Sequence, residues 1–130
     1  AMVPKPLLRP AARPARFGAV YYGSTSAAMQ EALDVLSDRG IHVNALRVRG
    51  FPFQDEIADF VASHPWVFVV EQNRDAQLKT LLVNEARVNP SRLLSVLHYD
   101  GTPITARFIV DQISRHAAAR SVVPLKKVVS

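Results

Sequence analysis

The chain has 130 residues, 48% of them hydrophobic, a formal net charge of +5 and no cysteine. That length suits one domain with a real core, and the hydrophobic share excludes wholesale disorder. The missing cysteines exclude disulfides, thiolate metal sites and an iron–sulfur cluster held by this chain alone, and the absence of a long apolar run or a signal-peptide core makes a cytoplasmic setting the expectation, with no membrane contact.

Residues 1–16 carry Lys5, Arg9, Arg13 and Arg16, no acid, and four of the nine prolines. Proline fixes φ and removes a donor, so this stretch reads as an extended Pro/Arg-rich linker or tail. From Phe17 the pattern changes. Phe17–Tyr22 is β-prone and ends at Gly23. Ser24 to Asp38 places Met29, Ala32, Leu33 and Leu36 on one helical face, with Gly40 to stop the helix. Ile41 to Val48 alternates as a strand, broken by Gly50 and Pro52. A short helix is expected over Gln54–Ser63, with Ile57, Phe60 and Val61 inward and Asp55 and Glu56 in its first turn. Trp66–Val70 is continuously apolar, as a strand buried on both faces must be. Asn73 is the expected cap of a third helix whose buried stripe is Leu78, Leu81 and Leu82. Asn89-Pro90 predicts a capped single turn, Leu93–His98 a strand, and Thr105 the cap of a last helix over Ala106 to about Ala118. Residues 119–130 read as a basic tail.

Strands that alternate with helices predict a three-layer α/β/α domain over residues 17–118, with a mainly parallel sheet of four to five strands. The basicity does not belong to this domain. Residues 117–130 hold Arg120, Lys126 and Lys127 without an acid, whereas residues 17–116 hold nine basic and eleven acidic side chains. A nucleic-acid domain sets Lys and Arg along one face of its fold, so nucleic acid is not an expected partner.

The chemistry gathers where parallel strands end, since that edge of an open sheet is where ligands and partners bind. Gly23, Ser24 and Thr25 follow the first strand. A glycine and hydroxyls at a helix start suit either a phosphate or, the favoured reading, a tight turn with a hydroxyl cap, because neither the dinucleotide nor the P-loop glycine pattern is present. Arg47 and Arg49 are expected to project to one side, as an anion clamp or as ion pairs at a subunit contact. Phe51 and Phe53 flank Pro52 on a loop that is expected to lie against another surface. Glu71, Gln72 and Asn73 directly follow the buried run and form the most site-like spot. Glu71 can accept a proton or pair with a cation, and Asn73 can be the helix cap. His42, His64, His98 and His116 lie on different elements with no helical metal-ligand spacing. A proton-transfer pair of His98 and Glu71 is open on spacing, but no nucleophile is identified for it.

Taken in order, Tyr22-Gly-Ser24, Asp38-Arg-Gly-Ile41, Arg49-Gly-Phe-Pro-Phe53, Val70-Glu-Gln-Asn73 with Gln77-Leu78, and Tyr99-Asp-Gly-Thr-Pro-Ile-Thr105 resemble the last domain of the alpha subunit of 2-oxoacid:ferredoxin oxidoreductases, most like the 2-oxoglutarate type. The resemblance covers about residues 17–115. It implies a transketolase C-terminal-like domain that serves assembly and the surroundings of an active site. For the holoenzyme it implies oxidative decarboxylation of a 2-oxoacid to an acyl-CoA with electrons passed to ferredoxin. Thiamine diphosphate, Mg²⁺ and an iron–sulfur cluster are then expected on other domains and on a thiamine-binding beta subunit, and coenzyme A is expected for the holoenzyme. The fragment itself is expected to bind no cofactor and to be inactive, because Tyr99-Asp-Gly101 lacks the first glycine of the thiamine motif and no catalytic residue carries over. Interface or ligand-facing candidates are Gly23, Ser24, Thr25, Arg49, Phe51, Phe53, Glu71, Gln72 and Asn73. The resemblance also implies an antiparallel edge strand ahead of the first parallel one, for which Leu7-Leu8 is a poor candidate. The alternatives are a stand-alone flavodoxin-like module that binds a nucleotide or acyl-CoA, and the C-terminal domain of another transketolase-like enzyme.

Overall fold

A computed structural model describes residues 5–50, 55–73 and 75–129, with side chains as far as residue 120. The two most apolar strand segments lie side by side at its centre. Strand β2 (Phe17–Tyr22) pairs in parallel with β4 (Trp66–Glu71) on one side and with β3 (Val43–Val48) on the other. Strand β5 (Leu93–Leu97) extends the sheet in parallel beyond β4. The far edge is β1 (Leu7–Arg9), which runs antiparallel along β3 with Leu7 opposite Arg47 and Arg9 opposite Ala45. The strand order is therefore β1-β3-β2-β4-β5.

Each face of the sheet is apolar and must be covered, which is what the intervening helices do. On one face α1 (Ser26–Asp38) and α4 (Ala106–Val129) bury Met29, Leu36, Ile109 and Ile113 against Phe17, Tyr21 and Phe68. On the other, α2 (Asp55–Ala62) and α3 (Gln77–Glu85) bury Ile57, Val61, Leu78 and Leu82 against Val20, Val67 and Val69. A fully buried Leu or Ile contributes about 1.5–3 kcal/mol relative to an exposed one, so these two clusters dominate stability. Met29, Ala32, Leu33 and Leu36 are the buried residues of α1, as their spacing predicts.

Several boundaries differ from the sequence reading. Leu7–Arg9 lies inside the stretch expected to be a linker and supplies the antiparallel edge strand for which it was a poor candidate. Arg9 fastens it: Nη2 reaches Asp34 Oδ1 at 2.5 Å, and Nη1 donates to Gln30 Oε1 at 2.6 Å, both on α1. Strand β3 starts at Val43 rather than Ile41 because the Ile41 N–H is taken by Leu36 O (2.8 Å) in the turn that ends α1, where Gly40 has φ +79°. Leu81 is only half-buried. Helix α4 continues past Ala118 to Val129, through residues expected to form a tail. No helix among the described residues is long and apolar enough to cross a membrane.

Candidate functional site

The carboxyl ends of β2, β3, β4 and β5 bring the sequence-predicted residues to one edge of the sheet. After β2 the chain makes a 3₁₀ turn over Gly23–Thr25 before α1 begins. No side-chain hydroxyl caps either start. Thr25 is buried instead, and its Oγ1 accepts from Gln72 Nε2 at 3.3 Å. Gln72 Oε1 in turn accepts from the Ile104 N–H at 3.3 Å. One amide side chain thus ties the turn after β2, the end of β4 and the loop ahead of α4.

Glu71 points inward. It is 4% exposed, yet its carboxylate is fully engaged: Oε1 accepts from the Leu78 N–H at 2.6 Å, and Oε2 from the Lys79 N–H at 3.2 Å. These are orphan donors of the first turn of α3, where the helix dipole also favours an anion. Asn73 Nδ2 reaches Glu71 Oε1 at 3.4 Å, and Asn73 Oδ1 accepts from Asp75 N at 3.1 Å and Gln77 N at 3.4 Å. The expected division of labour is therefore altered, since Glu71 is the main cap of α3 and Asn73 organises the loop before it. That loop includes Ala76 in the left-handed region at φ 50°. Burial first, and then the Glu71 charge, push the Tyr22 hydroxyl above its usual range.

Arg47 and Arg49 have different partners. The Arg47 guanidinium lies over Gly23, where an added Cβ would fall 2.7 Å from Nη2, so glycine admits this contact. Arg49 Nε donates to Lys5 O at 2.7 Å and so binds the approach to β1. Phe51 and Phe53 lie outside the described residues.

His98 and Glu71 do not form a proton-transfer pair. His98 Nε2 lies 3.0 Å from Thr102 O and 3.1 Å from Asp100 Oδ1. A carbonyl only accepts, so Nε2 carries a hydrogen directed at this turn, while the Glu71 oxygens face α3. Side-chain and backbone bonds from Thr102 hold the Asp100 carboxyl below its usual range. Gln72, His98, Tyr99, Gly101, Thr102 and Pro103 line an open depression of about 490 Å³, and Tyr99 is 61% exposed beside it. Among the described residues no group of three His, Asp or Glu side chains could hold a metal ion. The one buried carboxylate spends both oxygens on backbone amides, so the described residues do not fit a Mg²⁺ site. The bridging by Gln72 and the cap by Glu71 had no local signal, because each partner lies six or more residues away along the chain.

Among the described residues the arrangement is a structured, largely polar edge tied together by Gln72, Glu71 and Asn73. No protein-family model matches the sequence, and no curated protein matches it. Solved structures do share the fold. The 2-oxoglutarate:ferredoxin oxidoreductase from Magnetococcus marinus, determined with 2-oxoglutarate, coenzyme A and succinyl-CoA bound, superimposes with a TM-score of 0.75 at 23% identity over 86% of this chain and 19% of that one. The alpha chain of a probable 2-oxoacid ferredoxin oxidoreductase from Thermoplasma acidophilum matches with a TM-score of 0.56 at 24% identity, over 85% of this chain and 95% of the other. A split-gene transketolase, an inactive beta4 tetramer, matches with a TM-score of 0.68 at 17% identity, over 85% and 41%. The fold is thus a transketolase C-terminal-like α/β domain, and the chain spans about a fifth of the Magnetococcus enzyme chain that it resembles.

Proposed function

We propose that this chain is a non-catalytic domain of a 2-oxoacid:ferredoxin oxidoreductase, and that its strand-end edge packs against the remaining domains of the alpha subunit and a thiamine-binding beta subunit. The observation that carries this reading is the match to the Magnetococcus 2-oxoglutarate enzyme, which takes in 86% of this chain but 19% of the larger one. In such an assembly the holoenzyme decarboxylates a 2-oxoacid oxidatively, yields an acyl-CoA and passes electrons to ferredoxin. Thiamine diphosphate, Mg²⁺ and the iron–sulfur cluster sit on partner domains, since this chain has no cysteine and its buried carboxylate is committed to α3. The role of Gly23, Ser24, Thr25, Arg49, Gln72 and Asn73 is then to shape a contact surface; the same role is proposed for Phe51 and Phe53. Glu71 supports that surface from beneath.

The test is co-expression of the chain with the other alpha-subunit domains and the beta subunit, followed by size-exclusion chromatography and an assay of 2-oxoacid-dependent reduction of a low-potential acceptor. The chain is expected to elute in the active complex, and Tyr99→Glu with Gln72→Glu is expected to lower its share of the complex at least tenfold. A chain that elutes alone, with activity unchanged by its omission, overturns the proposal.

A further inference from the structure

The opposite edge of the sheet holds a second polar arrangement that the contact surface does not use. His64 lies between α2 and β4, at the amino ends of the strands, and is 5% exposed. Its ring packs close to β2 at Gly18, where an added Cβ would fall 3.2 Å from His64 Cγ and 2.9 Å from the Phe60 ring. The positions of its hydrogens follow from its partners. Nδ1 lies 2.8 Å from Phe60 O, and since a carbonyl only accepts, Nδ1 carries a hydrogen. Nε2 lies 3.0 Å from Asn44 Nδ2. The amide of Asn44 is oriented by a third group, because the Ala11 N–H donates to Asn44 Oδ1 at 2.8 Å. A backbone N–H is always a donor, so Asn44 turns its oxygen to Ala11 and its NH₂ to His64. Nε2 must then be a bare acceptor. The bonds run one way, from Ala11 through Asn44 and His64 to Phe60 O.

We propose that His64 is a proton-operated latch on the segment that follows β1: a proton on Nε2 releases Ala11 from the sheet. A protonated Nε2 needs an acceptor. Asn44 can offer its oxygen only by turning its NH₂ toward the Ala11 N–H, so in either orientation one donor faces another donor. The groups around the ring do not compensate the charge. Its bonded partners, Phe60 O, Ser63 Oγ (3.1 Å from Nδ1) and Asn44, are neutral. The charged side chain bonded to the residue is the cation Arg92, whose Nη1 donates to His64 O at 2.6 Å. The acids of α2, Asp55, Glu56 and Asp59, are exposed, and Arg9 of β1 is engaged with Asp34. Release is local, because β1 keeps its pairing with β3 and its Arg9 contacts.

The experiment is a pH titration of the isotopically labelled 130-residue chain by NMR, from pH 8 to pH 5. The Ala11 amide is expected to change in step with the His64 ring nitrogens. Hydrogen-exchange protection at Ala11 is expected to drop roughly tenfold, the size of one lost hydrogen bond, while Ala19 and Val20 in β2 keep theirs. In Asn44→Asp a carboxylate accepts from both Ala11 and an imidazolium, so the Ala11 amide is expected not to respond. Three results each overturn the latch: an Ala11 amide indifferent to His64 protonation, a His64 ring that stays neutral until the β2 amides also exchange, or a pH response at Ala11 that persists in Asn44→Asp. If Asn44→Asp does not fold, the titration of the unaltered chain decides alone.

Discussion

A buried polar side chain marks each end of β4, Glu71 as its last residue and His64 two residues before its first, and the two solve the same problem with opposite chemistry. At the carboxyl end Glu71 is an acceptor whose partners are the backbone N–H groups that open α3. At the amino end His64 both accepts and donates, so it links two segments and must remain uncharged to do so. Both sit where the chain leaves the sheet ladder and backbone groups need new partners. The charge state a buried polar group requires is set by the hydrogens facing it. A helix start presents only donors and suits an anion; a position between a donor and a carbonyl suits a neutral imidazole.

The largest expected effect comes from removing the acceptor at the carboxyl end. Glu71→Leu leaves the Leu78 and Lys79 N–H groups without their acceptor, and is expected to lower unfolding free energy by about 3 kcal/mol in urea titrations, with Glu71→Gln recovering roughly half. A loss below ~0.5 kcal/mol would show that the carboxylate is not the cap. The next effect probes the amino end through packing. Gly18→Ala pushes a methyl group into the Phe60 and His64 rings and is expected to cost about 2 kcal/mol. It should also perturb the Ala11 amide in NMR spectra, which Glu71→Leu should not. Smaller again is Arg9→Ala. Its ion pair with Asp34 is exposed and worth under about 1 kcal/mol, but the loss of β1 anchoring should appear as faster exchange of the β1 amides.

The smallest effect separates the amino end by pH. His116 of α4 lies near Phe68 of β4, and burial, followed by the charge of Arg120, holds its imidazole below the ordinary value of 6.5. The unfolded chain therefore takes up this proton first. The contribution of neutral His116 is fully present above about pH 6.5 and is lost as pH falls below it. His116→Gln is expected to flatten the fall in the urea midpoint between pH 7 and pH 5 relative to the parent. An unchanged slope would assign the acid sensitivity of this end elsewhere.

Much of the fold was legible in the sequence because burial leaves a period. Met29, Ala32, Leu33 and Leu36 repeat at helical spacing, and Trp66–Val70 is apolar without a break, so the helix face and a central strand followed from neighbours along the chain. Capping by Asn89 and Thr105 was legible for the same reason, since each bonds an amide two or three residues on. Strand β1 was not. Three residues hold too little alternation to mark a strand, and Leu7 and Leu8 stay exposed at the sheet edge. The start of α3 leaves no local signal, because its acceptor, Glu71, lies seven residues before the first N–H that it serves.

The alternation of elements, the two apolar faces and the absence of cysteine chemistry are written in the chain, because they depend only on composition and short-range period. Tertiary structure alone decided which polar groups meet. The linkage from Ala11 through Asn44 to His64, and that from Thr25 through Gln72 to Ile104, each join segments that are tens of residues apart. Such contacts are fixed by strand order and register, which place β3 between β1 and β2 and set β4 beside β2. A side chain's spacing along the chain carries no record of the neighbour that the sheet will bring to it.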